Sequence, residues 1–150
     1  MTIDWHLAPF AQLTPRELHD LLQLRAAVFV VEQKCAFQDV DGADPECWHL
    51  LGRRGGELVA YCRLVAPGVK YEEPSIGRVV TSESARGTGA GRELMAEALR
   101  RAEALWPGRA IRIGAQRYLE RFYGTYGFET VSEPYDEDGI MHVLMLRNGA

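Results

Sequence analysis

The sequence of 150 residues is 47% hydrophobic and 25% charged, which is typical of one globular domain over 1–150 and excludes disordered and collagen-like chains. Acidic residues outnumber basic ones by 21 to 17, and the resulting net charge of −4 disfavours a dedicated nucleic-acid binder. No apolar run approaches the ~20 residues of a membrane span, and the first residues lack a basic segment followed by an apolar one, so we expect neither a membrane segment nor a secretory signal.

Three cysteines, Cys35, Cys47 and Cys62, bear on the cellular compartment and on metal binding. Their odd number and long spacings fit no disulfide framework, and without a Cys-x-x-Cys pair they do not form a zinc set. Reduced thiols are typical of the cytoplasm. We therefore expect a cytoplasmic protein without a metal site.

The first half of the chain predicts a strand over 3–8 and a helix over 15–31. The helix starts at Thr14-Pro15-Arg16-Glu17, where Thr14 and Glu17 can form a capping box and the proline suits the first turn. Its β-branched end, near Val30 and Val31, favours unwinding. An acidic loop over 34–46, hairpin strands over 48–52 and 57–65, and a loop over 66–74 follow.

The second half predicts a strand over 76–81, a helix over 89–105, a strand over 110–114, a helix over 117–126, and strands over 128–131 and 140–146 separated by an acidic loop over 133–139. Strand 76–81, helix 89–105 and strand 110–114 form one βαβ unit, whose two strands should be parallel. The other strands are joined by short turns and should be antiparallel. The expected fold is therefore α/β, with a mixed, mostly antiparallel sheet and helices on both faces.

A glycine-rich turn, Arg86-Gly87-Thr88-Gly89-Ala90-Gly91, lies between a strand and a long helix of this unit. Glycines permit a tight turn, and the helix start offers free N–H groups, so the turn predicts a phosphate site. The lysine of the nucleotide-triphosphate pattern and the third glycine of the dinucleotide pattern are both missing. A purely structural turn is the alternative.

The strand Arg78-Val79-Val80-Thr81, this turn and the following helix resemble the acetyl-CoA-binding core of the GNAT acetyltransferase superfamily. The segment Phe122-Tyr123-Gly124-Thr125-Tyr126-Gly127-Phe128 resembles a second motif of that family. A narrower resemblance, to the ElaA-like subgroup, lies in Arg25-x-x-Val28-Phe29-Val30-Val31-Glu32-Gln33-x-Cys35, Asp39-x-Asp41-Gly42-x-Asp44, His49-Leu50 and Glu137-Asp138-Gly139-Ile140-x-His142.

The resemblance implies a GNAT fold in which two parallel strands splay apart to admit acetyl-CoA as co-substrate. Its pyrophosphate would rest on the backbone of Arg86, Gly87, Thr88, Gly89, Ala90 and Gly91. Its pantetheine arm would lie along Val79, Val80 and Thr81, with Gln116 where the family often has asparagine. The acceptor, a small-molecule or peptide amine, would attack the thioester directly in a ternary complex, with Tyr123 as the general acid.

The general base is left open between His49, His142, Glu32 and a chain of water molecules. Asp41 and Asp44 in the acidic loop suggest attraction of a cationic amine, with a merely solvated loop as the alternative. Two other functions stay open: a non-catalytic acyl-CoA-binding sensor, and a nucleotide-binding α/β domain. A homodimer is possible because it is the commonest oligomer.

Overall fold

The computed structural model describes residues 2–149, which form strands connected by helices and short turns. The strands are β1 (Asp4–Pro9), β2 (Cys47–Arg54), β3 (Glu57–Val65), β4 (Ser75–Thr81), β5 (Ile111–Gln116), β6 (Phe128–Thr130), β7 (Tyr135–Glu137) and β8 (Ile140–Arg147). The α-helices are α1 (Pro15–Arg25), α2 (Ala90–Leu105) and α3 (Glu120–Gly124). Short 3-10 turns lie at Phe10–Gln12, Asp44–Glu46, Glu83–Ala85 and Arg117–Leu119.

The strands form two antiparallel sheets that meet at β4 and β5. One sheet has the order β1-β2-β3-β4, and the other has β5-β8-β6, with β7 also paired to β8. Where β4 and β5 begin, the Arg112 amide donates to the Pro74 carbonyl at 3.0 Å. No ladder joins the two strands elsewhere within residues 2–149. The expected pair thus touches at its start and separates beyond it, which opens the sheet.

Helices cover both faces of the first sheet, as predicted. Side chains alternate across a strand, and in β3 Ala60 and Cys62 join the core that contains α2, whereas Tyr61 joins the core that contains α1. The buried face of α2 is its predicted apolar stripe, with Leu94 and Met95 fully buried. The mixed α/β fold expected from the sequence is confirmed.

The predicted helix over 15–31 is present, but its last part has a different geometry. The capping box forms, with the Thr14 amide donating to Glu17 at 2.8 Å and the Glu17 amide donating to Thr14 at 3.1 Å. Beyond Arg25 the chain continues as a π-helix over Ala26–Glu32. The Gln33 amide, for example, donates to the Val28 carbonyl five residues back, at 3.0 Å. The segment therefore widens instead of unwinding.

The interpretation of 133–139 as a loop is wrong over part of its length, because β7 forms there. The turn to β8 needs only Asp138 and Gly139, both with positive φ, 52° and 83°. The helix expected over 117–126 is shorter, with a 3-10 turn before α3.

Candidate active site

A cleft of about 780 Å³ opens where β4 and β5 separate. The π-helical segment lies at one side and the β7–β8 hairpin at another, and α3 contributes Tyr123. The site residues predicted from the sequence that line the cleft are Glu32, Val79, Val80, Thr81, Arg86, Gln116, Tyr123 and His142. The structure thus brings most of the candidates together, although they come from distant parts of the chain.

The glycine-rich turn continues from this cleft to the start of α2. Gly87 and Gly89 have φ of 78° and 85°, a conformation that side chains other than glycine rarely adopt. A Cβ atom placed at Gly87, Gly89 or Gly91 would meet nothing within 4 Å, so the outer surface of the turn is open. Thr88 donates its hydroxyl to the Ala85 carbonyl at 2.5 Å. An open turn at the N-terminus of a 16-residue helix can receive an anion.

Two arginines flank this turn. Arg86 pairs with Glu32 of the π-helical segment at 2.7 Å, and both side chains are partly exposed. Arg54, which the sequence analysis did not single out, donates to the Thr88 hydroxyl at 3.2 Å. Glu32, a candidate base, therefore lies beside the glycine-rich turn and already has a cationic partner.

A bulge in β4 lies at the middle of the cleft. Tyr61 pairs with Val80 and Arg63 pairs with Gly77, so Arg78 and Val79 both lie opposite Cys62. Arg78 has a φ of 51°, which is uncommon for a residue with a side chain. The bulge removes the backbone of 78–79 from the regular ladder with β3. Such strained backbone occurs often at binding and catalytic sites.

The Arg78 side chain is held by the acidic loop over 34–46. These contacts fix the position of the bulge. The Arg78 guanidinium pairs with the Asp39 carboxylate at 2.8 Å and with Asp41 at 3.2 Å, and it lies 5.5 Å from the centroid of the Phe37 ring. Arg63 donates to Asp41 at 2.7 Å. The loop thus serves as an anchor for two arginines of β3 and β4.

Asp44 lies deeper in the same ion cluster. It accepts from Arg25 at 2.8 Å and from Arg63 at 3.0 Å, and Arg25 also pairs with Asp39 at 2.9 Å. Arg25 is fully buried. Burial opposes ionisation of Asp44, but the two arginines outweigh it and hold the pKa of this carboxyl below its ordinary value. Asp44 is therefore buried and already neutralised, so the idea that this residue attracts a cationic amine is wrong.

His49, one of the candidate bases, does not reach the cleft. It is fully buried in β2, with Nδ1 at 2.7 Å from the Tyr61 hydroxyl and Nε2 at 2.9 Å from the Asp44 carbonyl. Because a carbonyl only accepts, Nε2 carries the proton and Nδ1 accepts from Tyr61. Burial lowers the pKa of His49. Both nitrogens are occupied within the core, so the structure removes His49 from the candidates.

His142 reaches the cleft from β8, opposite Gln116 of β5. Its Nδ1 is 2.8 Å from the Ile140 carbonyl and must donate to it, which leaves Nε2 directed elsewhere. Nε2 lies 3.3 Å from a carboxylate oxygen of Glu137. The Tyr135 ring lies against the imidazole with centroids 5.9 Å apart. His142 is therefore a nearly buried imidazole in a fixed orientation, with a carboxylate beside it.

Tyr123 projects from α3 into the cleft. Phe122 and Phe128 contact its ring edge-on, with centroids 5.3 and 6.1 Å away. Burial raises the pKa of the Tyr123 phenol well above its ordinary value. The hydroxyl therefore keeps its proton across the working pH range and can donate it as a hydrogen bond.

The sequence analysis missed several residues that line the cleft, among them Gln33, Lys70 and Glu137. Gln116 donates to Gln33 at 3.4 Å, which connects β5 to the end of the π-helical segment. Glu137 and Gln33 stand within the segments quoted for the ElaA-like resemblance, so a signal for them existed. Lys70 lies in an irregular loop without any motif, and its position followed only from the fold.

Within residues 2–149, no three or more His, Cys, Asp and Glu side chains are grouped so that they could hold a metal ion. No helix that the structure describes is both long and apolar enough to cross a membrane.

Comparisons with known proteins agree with this geometry. Residues 21–147 match the model of the acetyltransferase (GNAT) domain family. Protein ElaA of Escherichia coli is 44% identical over 97% of this chain and 96% of its own length, and its crystal structure superposes with a TM-score of 0.91. An acyl-CoA N-acyltransferase from Pseudomonas aeruginosa is 48% identical over 97% of this chain and 99% of that one, with a TM-score of 0.93. The resemblance found in the sequence is confirmed: the chain belongs to the GNAT acetyltransferase family, and ElaA is among its relatives.

Proposed function

We propose that the protein is an acetyl-CoA-dependent N-acetyltransferase that acts by direct attack of an amine in a ternary complex. The observation that carries the proposal is the single cleft between β4 and β5, which joins the open phosphate turn to Tyr123 and His142. A GNAT acetyltransferase from Elizabethkingia anophelis, with a TM-score of 0.66 and 18% identity, was solved with acetyl-CoA bound. That structure shares the fold and supports the same co-substrate here.

The cofactor follows β4 from the turn to the bulge in this proposal. The pyrophosphate binds to the backbone of residues 86–91, and the dipole of α2 favours its negative charge. Arg86 turns from Glu32 to the phosphates. The pantetheine arm lies along Val79, Val80 and Thr81, on the side of β4 that pairs with no strand in the described residues 2–149. Gln116 faces it from β5.

The bulge, Tyr123 and His142 supply the chemistry. A backbone N–H of the bulged residues 78–79 stabilises the oxyanion. The ammonium first gives a proton to Nε2 of His142, and Glu137 stabilises the resulting imidazolium. The nitrogen then bonds to the thioester carbon, and the C–S bond breaks with its electron pair on sulfur. Tyr123 gives its proton to that thiolate and regains one from the nitrogen, which becomes the amide nitrogen. Acetyl-CoA and an ammonium thus give an amide, the CoA thiol and one proton, which His142 releases.

The raised pKa of the Tyr123 phenol refines its role as general acid. A phenol that holds its proton more tightly than a thiol stabilises the leaving thiolate first through a hydrogen bond, before any complete transfer. Positioning of the amine and the thioester supplies much of the remaining acceleration.

A Tyr123→Phe variant tests the proposal against a non-catalytic sensor. We expect kcat, measured as release of CoA thiol, to fall about 100-fold, the lower limit for general acid–base catalysis. The Kd for acetyl-CoA should stay unchanged. Tyr126→Phe is the control, because Tyr126 belongs to the same motif and donates instead to the Arg92 carbonyl at 3.2 Å. Binding without turnover in the unaltered protein, across a broad amine panel, would identify a sensor.

A further inference from the structure

The loop over 66–74 and the β7–β8 hairpin meet at one part of the cleft. A Cβ atom placed at Gly114 of β5 would lie 3.0 Å from the Tyr135 hydroxyl of the hairpin and 3.3 Å from the Tyr71 hydroxyl of the loop. We name this part of the cleft the acceptor end. Its lining includes Lys70 of the loop and Glu137, Asp138 and His142 of the hairpin.

Most of the cationic side chains that line the cleft form an ion pair with a carboxylate, and one in the described part of the chain does not. Arg63 and Arg78 pair with the acidic loop, and Arg86 pairs with Glu32. Within residues 2–149, no carboxylate lies within 4 Å of the Lys70 ammonium. Its nitrogen lies 5.4 Å from the centroid of the Tyr71 ring. Among the lysine and arginine side chains that line the cleft, Lys70 is therefore the one without an ion-pair partner within 4 Å in residues 2–149.

The surroundings of this ammonium favour an anionic ligand. Although the Lys70 side chain is exposed, the protein around it lowers the pKa of the ammonium, chiefly through desolvation. The charge of Glu137 acts in the opposite direction, as does that of Asp41, whereas Arg63 and Arg78 lower the pKa further. Because the net shift is downward, a carboxylate bound to Lys70 would oppose it.

The hairpin part of the acceptor end suits an ammonium. The Glu137 side chain is 50% exposed and lies 3.3 Å from His142, which the proposed mechanism uses as the base. The acceptor end therefore presents a cation on the loop and a carboxylate–imidazole pair on the hairpin. A ligand that carries an amine and a carboxylate on one small frame matches both.

We propose that the acceptor is a small amino acid, whose carboxylate binds Lys70 while its amine lies at Glu137 and His142. This inference rests on the proposed acetyltransferase function and adds the chemical class of its acceptor. A simple cationic amine would bring no carboxylate to Lys70.

Matched pairs of amines test the inference. Glycine, methionine, phenylalanine and glutamate are each compared with the corresponding carboxamide, and kcat and KM are measured from CoA thiol release. Carboxamides lose their ammonium proton more readily, so chemistry alone would favour them over the acids. We expect at least one acid to exceed its amide about tenfold in kcat/KM, the effect of one charge-assisted hydrogen bond.

Variants at the two lysines of the chain identify the residue responsible. Lys70→Gln should raise KM for the preferred acid about tenfold with little change in kcat, and should leave the amide unchanged. Lys70→Arg should retain the preference. Lys34→Gln is the matched control, because Lys34 is exposed and lies outside the cleft lining.

Three outcomes would overturn the inference. The first is a kcat/KM for each amide that equals or exceeds that of its acid in all pairs. The second is a preference for the acid that persists in Lys70→Gln. The third is turnover with other amines but with no amino acid. In each case, binding of acetyl-CoA measured separately shows whether the acetyltransferase proposal itself still stands.

Discussion

Asp44 stabilises the fold through buried ion pairs, although it lies in a loop. Two buried guanidiniums, of Arg25 and Arg63, converge on one of its oxygens, and the Asp44 carbonyl accepts from His49. Taking one partner from a buried ion pair leaves an uncompensated charge, which is costly. The acidic loop is thus a structural clamp between α1, β2 and β3.

An Asp44→Asn variant tests this clamp. The amide keeps the shape but removes the charge, so we expect the free energy of unfolding to fall by about 3–5 kcal/mol. Urea denaturation measures the change. Glu46→Gln is the control, because Glu46 belongs to the same loop but is exposed. A loss for Asp44→Asn no larger than that of the control would contradict the clamp.

Sequence spacing could not reveal these partners. Arg25 of α1 stands 14 residues before Asp39 and 19 before Asp44, and Arg63 belongs to strand β3. Only the tertiary structure makes them neighbours. His49 illustrates the same limit, since a histidine on a strand can face either the cleft or the core, and here it faces the core.

Among the elements, the glycine-rich turn over 86–91 was the most predictable part of the site. Its glycines, the preceding strand and the following helix are all local features, and Gly87 and Gly89 adopt the positive φ that glycine permits. Gly91 differs, because its φ is not positive and it lies inside the first turn of α2. The backbone conformation therefore does not require glycine at position 91.

A Gly91→Ala variant separates ligand binding from structure. Alanine in a helix is favoured over glycine by about 0.5–1 kcal/mol, and its Cβ would meet no protein atom, so stability should rise slightly. The added methyl would occupy space proposed for the pyrophosphate, so the affinity for acetyl-CoA should fall. Thermal unfolding and calorimetric titration measure the two effects. Higher stability with unchanged affinity would identify a purely structural turn.

Two elements were less predictable, for physical reasons. The π-helical segment has apolar residues that suit a regular helix equally well, and two of them, Val28 and Phe29, pack into the core that contains α1. Strand β7 is three residues of acidic and aromatic sequence, too short for an alternating pattern. It forms because β8 offers a partner edge.

For the whole molecule, the lowered carboxyl pKa values predict a loss of stability in acid. Hydrogen bonds from Arg53 and Arg63 lower the pKa of Asp20 and of Asp41, and Asp44 is lowered as described above. Below the ordinary aspartate pKa of about 3.9, the unfolded chain binds protons that the folded protein does not. Stability is therefore present above that pH and is lost below it.

His49 adds to the same trend at higher pH. Because burial lowers its pKa, the unfolded chain takes up a proton below about pH 6.5 that the folded protein resists. We expect the free energy of unfolding, measured with urea, to decline from about pH 6.5 and more steeply below about pH 4. Asp44→Asn should decline less steeply in the lower range. Equal stability at pH 6 and pH 3 would contradict these assignments.

We infer that acetyl-CoA fills the space between the two sheets, where β4 and β5 separate. This inference can be tested by calorimetric titration of the purified protein with acetyl-CoA, with ATP and NAD as controls. We expect saturable binding of acetyl-CoA and no binding of either nucleotide. Absence of acetyl-CoA binding, or equal binding of ATP or NAD, would contradict it, and the roles proposed for Tyr123 and His142 would no longer stand.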